Sequence, residues 1–157
     1  MSGAHQVIRT TNTLKAKFGG NFSIDSDALA RAEAALAGLS SQFGQWMQDE
    51  LTKLDAARAA VKAEGLNAKT AEQLYIRAHD LKGLGTTYEF PIVSRIAACL
   101  CRLIEDPAKR MSAPMGLIDA HIDAIKASVR DGIKDVDHPI GRILVNELEG
   151  RVQGHLG

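Results

Sequence analysis

The chain has 157 residues, with 19 basic and 19 acidic side chains, zero formal net charge and 4% aromatic residues. That length suits one domain with one sizeable core. The balanced charges, mixed along the chain, provide no basic field for nucleic acid or anionic lipid, so neither is an expected partner. Few aromatics, four prolines and frequent alanine and leucine favour helices packed by aliphatic side chains. No window approaches the ~20 apolar residues of a membrane span. Met1-Ser2-Gly3-Ala4-His5 lacks the apolar core of a signal peptide. The expected location is the cytoplasm.

Residues 1–24, with Gly19-Gly20 and scattered polar side chains, read as an N-terminal arm. Residues 25–153 read as a single helical domain. Leu29, Ala32, Leu36 and Leu39 predict a short first helix, with Asp25 or Ser26 as N-cap. Phe43, Met47, Leu51, Leu54 and Val61 predict a longer second helix ending near Glu64-Gly65. Thr70-Ala71-Glu72-Gln73 has the form of a capping box and predicts a third helix running to about Tyr88.

Pro91 suits the first turn of a fourth helix, with Ile92, Ile96, Cys99 and Leu103 as its stripe and Asp106-Pro107 as its end. Ser112 is a candidate cap for a fifth, whose apolar face carries Ile118, Ile122, Ile125, Val129 and Ile133. Asp137 and Pro139 open a short C-terminal helix with Ile140, Leu144 and Leu148. The strand-like run Arg142-Ile143-Leu144-Val145 is too short and too close to a helix start to change the class. The expected fold is all-α: an antiparallel four-helix bundle with additional short N- and C-terminal helices.

The third helix carries the chemistry. On a helical wheel, Leu74, Ala78, Leu81, Gly85 and Tyr88 fall in a sector roughly 80° wide, which is the core face. His79 lies about 140° from Leu74, facing solvent at mid-helix, with Lys82, Gly83 and Thr86 around it. A lysine one turn away disfavours a second positive charge on the ring, leaving a neutral nitrogen free to attack phosphorus. Lys82 also suits incoming phosphoryl oxygens. Glycine costs roughly 1 kcal/mol relative to alanine in a helix interior, so Gly83 and Gly85 need compensation. Gly83 leaves an approach to His79 free of side chains, whereas Gly85, on the opposite face, suits close helix packing. Tyr75 and Ile76 flank the exposed sector as an apolar footing for a partner.

The segment His79-Asp80-Leu81-Lys82-Gly83, with Ala78 before it and Gly85 after, resembles the His-x-x-Lys-Gly motif of the histidine phosphotransfer (HPt) family. The resemblance covers roughly residues 40 to 134, the expected bundle core. It implies a phosphocarrier of a two-component phosphorelay. His79 takes a phosphoryl group from a receiver-domain aspartate of a hybrid histidine kinase and passes it to the receiver of a response regulator. The chain is then no enzyme with ATP-dependent kinase activity, and it binds no cofactor of its own. The Mg2+ ion belongs to the partner receiver. Many family members carry a glycine about ten residues after the histidine, where this chain has Glu89-Phe90.

Two rivals differ in chemistry. An autophosphorylating kinase fragment lacks support, because no Arg-Thr-Pro-like continuation follows His79 and no Gly-rich ATP lid is evident. A helical docking protein that binds response regulators without transfer would use the same Tyr75 and Ile76 surface. His5, His121, His138 and His155 read as structural or solvated, and no glutamate has a histidine three residues on, as a carboxylate-bridged metal bundle requires. Phe43 and Trp46 read as packing residues. Cys99 and Cys101, two apart, fit neither a disulfide nor a Cys-x-x-Cys zinc site and read as reduced packing thiols.

Overall fold

A computed structural model describes residues 25–157; the expected arm, residues 1–24, lies outside them. The described residues are all-helical, with no strand among them. The helices are α1 (Ser26–Glu64), α2 (Ala68–Thr87), α3 (Pro91–Ile104), α4 (Met115–Arg130) and α5 (Pro139–Leu156), with a 3-10 turn at Arg110–Ser112. No described helix is long and apolar enough to cross a membrane. The chain divides into two units between Gln42 and Phe43, within α1.

The short first helix and the longer second one are a single 39-residue helix, α1. Neither proline nor a capping side chain interrupts the run from Ser26 to Glu64, so the backbone ladder continues past Gly38 and Gly44. In the first unit Asp25 is the N-cap: its carboxylate accepts the Asp27 N–H at 3.1 Å, and its carbonyl accepts the Leu29 N–H at 3.0 Å. Leu36 and Leu39, expected to face a core, are exposed.

In the second unit α3 is the central element, packed against α2, α4 and α5. Its expected stripe was Ile92, Ile96, Cys99 and Leu103; Val93, Ala97, Leu100, Cys101 and Ile104 are buried as well. The other helices each bury one face: Met47, Leu51, Leu54, Ala57 and Val61 of α1; Ile118, Ile122, Ala124 and Ile125 of α4; Val145, Leu148 and Val152 of α5. Charged groups tie α1 to α4. Arg58 reaches Asp123 at 2.7 Å and Asp119 at 3.3 Å, and Lys126 reaches Asp55 at 2.7 Å. Burial pushes the Asp55 carboxyl up, but bonds and charge from Lys126 and Arg58 outweigh it and hold it below the usual carboxylate range. Such part-exposed pairs fix register more than they stabilise.

Helix ends differ from the sequence reading in specific ways. The capping box at α2 is Asn67 with Thr70, not Thr70 with Gln73. Asn67 Oδ1 accepts the Thr70 N–H and Thr70 Oγ1 accepts the Asn67 N–H, both at 2.9 Å. Thr70 is buried and donates its hydroxyl to the Gly65 carbonyl at 2.7 Å, a tertiary bond that removes it from the N-cap role. Ser112 does not cap α4; it sits in the 3-10 turn with its hydroxyl donated to the Lys109 carbonyl, and Pro114 precedes α4 instead. α4 ends at Arg130, so Ile133 enters the core from the following connection. The C-terminal helix is not short: α5 has 18 residues. It is held by the Arg95–Glu149 fork at 2.7 and 3.0 Å and by Gly141, where a Cβ would lie 2.7 Å from Ile92 Cδ1.

Two helices end in the same Schellman geometry. At α4, Ile133 N–H donates to the Ser128 carbonyl and Gly132 N–H to the Val129 carbonyl, with Gly132 at φ 69°. At α2, Phe90 N–H donates to the Gly85 carbonyl and Glu89 N–H to the Thr86 carbonyl. Here the left-handed residue, φ 69°, is Glu89. A Cβ in that region costs roughly 1–2 kcal/mol. Glu89→Gly is therefore expected to stabilise the protein by about 0.5–1 kcal/mol after the entropy of the unfolded chain is counted, measured by urea unfolding; a loss of stability would contradict the strain.

His121 is fully buried. Its Nδ1 lies 2.7 Å from the Leu117 carbonyl, which can only accept, so Nδ1 carries the proton and Nε2 accepts from the Cys99 thiol at 3.2 Å. Burial pushes the imidazole below its ordinary value despite the carbonyl bond, and burial pushes the Cys99 thiol up to about 11. The pair is neutral. The unfolded chain binds a proton at His121 near pH 6.5, whereas the folded chain resists it. Stability from this group is thus full above that value and declines as pH falls through it, by up to about 1.4 kcal/mol per pH unit. Urea unfolding from pH 7.5 to 5.5 should show this slope, and His121→Gln should flatten it. The carboxylates held low by ion pairs titrate further down.

Candidate functional site

The site is the outer face of α2. Thr70, Ala71, Leu74, Ala78, Leu81 and Gly85 of this helix are buried, as the wheel required of the last four. Tyr88, expected with them, is half-buried at the C-cap. The opposite side carries His79, Lys82, Gly83 and Thr86, all exposed, with Ile76 at 37% relative exposure and Tyr75 half-buried. The helix brings all of the expected site residues onto one surface, because positions three, four and seven apart share a face.

His79 stands near the middle of the 20-residue α2. Tyr75, one turn earlier, places its ring 5.9 Å from the imidazole, centroid to centroid, at 41°. Asp80, the next residue, points away and pairs with Arg77 at 3.8 Å. Lys82 lies one turn after His79, and its positive charge reaches the Cys101 thiol of α3. Burial nevertheless pushes that thiol up to about 11, so Cys101 is a packing residue and no nucleophile. Thr86 has its amide and hydroxyl engaged with Ser94 Oγ, at 2.8 and 3.1 Å.

The two glycines separate as the sequence suggested. A Cβ on Gly83 would meet nothing within 4 Å. A Cβ on Gly85 would lie 2.5 Å from both Ser94 N and Ser94 Oγ and 3.1 Å from the Phe90 carbonyl oxygen. Gly85 is the point of closest approach between α2 and α3. Beyond it, Phe43, Trp46 and Tyr88 form a trio with ring centroids 5.7 to 5.8 Å apart. Trp46, read as a packing residue, is 41% exposed and lines an open cleft with Asp49, Glu50, Lys53 and Tyr88.

One residue of the site was invisible in the sequence. Arg110, in the connection between α3 and α4, is buried, and its guanidinium carbon lies 5.6 Å from the Tyr75 ring centroid. Its Nε donates to the Ile104 carbonyl at 3.0 Å, one Nη to the Glu105 carbonyl at 3.3 Å, and the other to Glu72 at 2.6 Å. Pattern reading has no signal for it, because an arginine in a polar connection is ordinarily solvated. Its location beside the unsatisfied carbonyls at the end of α3 is the physical clue. Among the described residues no group of three or more His, Cys, Asp or Glu side chains is placed to hold a metal ion.

The glycine geometry predicts opposite signs for one substitution. Gly83→Ala should stabilise by roughly 1 kcal/mol through helix propensity, whereas Gly85→Ala should destabilise by at least about 1–3 kcal/mol through overpacking against backbone. Chemical denaturation of both variants checks this; equal signs would contradict it. Compared with protein-family models, with curated proteins and with solved structures, the chain has no match.

Proposed function

We propose that the chain is a histidine phosphotransfer protein that carries a phosphoryl group on His79 between receiver-domain aspartates in the cytoplasm. The observation that carries this reading is the surface around His79: an exposed imidazole at mid-helix, Lys82 one turn on, and open space where Gly83 has no side chain. On this reading the part of α1 from Phe43, together with α2, α3 and α4, forms an antiparallel four-helix bundle with α5 laid against it. The three-residue connection from Tyr88 to Phe90 supports antiparallel neighbours for α2 and α3.

The transfer needs little from this chain. The lone pair of the unprotonated ring nitrogen attacks phosphorus in line, an N–P bond forms, and the acyl-phosphate P–O bond breaks. The electron pair leaves with the partner's aspartate as a carboxylate. The imidazole keeps its N–H, so no proton has to move. Delivery to a second receiver is the reverse reaction on another aspartate. Lys82 opposes the charge of the phosphoryl oxygens at the protein surface. The receiver supplies its own acidic pocket and Mg2+. Tyr75 and Ile76 provide an apolar footing beside the reacting nitrogen, and Thr86 a polar edge. Neither the protein alone nor the protein with ATP should become labelled.

The test uses phosphorylated hybrid-kinase receivers as donors. An acid-labile, base-stable label should appear on the wild-type chain and be absent from His79→Gln. Label that survives His79→Gln would overturn the assignment, and receiver binding without any label would favour the docking alternative. Gly83→Ala sharpens the test, since a displacement of ~1 Å at the reacting centre costs on the order of 100-fold. Transfer should slow steeply although the fold is no weaker.

A further inference from the structure

We propose that Arg110 is a positioning residue for His79, acting through Tyr75. The inference rests on the phosphocarrier reading for its importance, while its geometric content concerns the imidazole alone.

An exposed histidine at mid-helix is ordinarily free to turn. In a helix the χ1 well near +60° is excluded by the preceding turn, which leaves two wells of comparable energy. Both direct the side chain toward the turn N-terminal to it, where Tyr75 stands at the i−4 position. A tyrosine ring there discriminates between the two only if it is itself fixed. Arg110 supplies that restraint. Its guanidinium lies against the Tyr75 ring at 5.6 Å, and the Tyr75 ring lies against the imidazole at 5.9 Å. The guanidinium is in turn held by the Ile104 and Glu105 carbonyls and by Glu72 on α2. A chain of contacts therefore runs from the C-terminus of α3, through Arg110 and Tyr75, to the ring that reacts.

Helix capping alone accounts for the two carbonyl bonds, but not for the bond to Glu72 or the placement over Tyr75. Both of those face α2. Burial matters as well: Tyr75 is open to a docking partner, whereas Arg110 is covered by the protein and cannot touch one. Effects of Arg110 on His79 are therefore separable from effects on docking.

The test reads the His79 ring resonances by NMR in the full chain, with rates of phosphorylation by phosphoramidate and by a phosphorylated receiver. Arg110→Gln should move the His79 resonances in the direction of Tyr75→Leu, which removes the ring. Arg110→Lys, keeping a cation over Tyr75, should restore most of the shift. Both phosphorylation rates should fall by the same factor, about threefold to tenfold, with receiver affinity unchanged. If Arg110→Gln does not fold, Glu72→Gln, at a half-exposed position, removes one anchor and must move the same resonances. Unmoved His79 resonances in the folded variant, or a fall confined to the receiver donor, would overturn the proposal. Resonances that move while neither donor labels His79 would uphold the positioning and overturn the phosphocarrier reading.

Discussion

α3 has almost no side that can face water. Its buried residues run around most of the helix, and a 14-residue helix of this kind is stable only if it is enclosed. α2, α4 and α5 all pack on it, and the places where they come closest are marked by residues without a side chain. Gly85 lets α2 meet the backbone of Ser94, and Gly141 lets α5 meet Ile92. Once α2 is seated by Leu74, Ala78, Leu81 and Gly85, its helical period leaves the remaining face no alternative direction. The exposure of His79 follows from the burial of α3.

Enclosing α3 also creates polar obligations. Its first free amide, Ile92 N–H, is satisfied by the Lys134 carbonyl at 2.9 Å, and its last carbonyls by Arg110. His121 and Cys99 satisfy each other inside the core in neutral form. Among the described residues no buried side-chain nitrogen or oxygen is left without a partner. This accounting links stability to the site. The arginine that closes the end of α3 also holds Glu72 and Tyr75, so the α3–α4 connection reaches the surface around His79.

Much of this was legible in the sequence, and the failures have specific causes. Periodicity located the helices after Gly65 and separated the His79 face from the Leu74 face, because both depend only on the 3.6-residue repeat. It also assigned Gly85 to packing and Gly83 to open surface. Helix ends were harder: Thr70 has the composition of an N-cap, yet Asn67 takes that role because Thr70 is drawn into a bond with Gly65. α1 was divided where its apolar spacing changes, although nothing there breaks the backbone ladder. Arg110 lies 31 residues from His79 in sequence and outside any repeat, so only tertiary structure brings the two into one site.

Gly83 and Glu89 are both choices that a helix and its cap, taken alone, disfavour. Gly83 sits where alanine would fit freely, and the surface beside His79 supplies a reason for its presence. Glu89 occupies the left-handed position that Gly132 fills at the end of α4, and phosphoryl transfer gives no reason for it. A local one exists. Lys134 lies 3.8 Å from the Glu89 carboxylate and 5.4 Å from the Phe90 ring centroid, and its carbonyl accepts the Ile92 N–H. The segment that joins α4 to α5 therefore grips the α2–α3 turn at successive residues. An exposed ion pair at that distance is worth well under ~1 kcal/mol, too little to offset the backbone strain. The carboxylate adds specificity to where that segment docks, and the net cost is tolerated because the turn is already fixed by Gly85 and the two Schellman bonds.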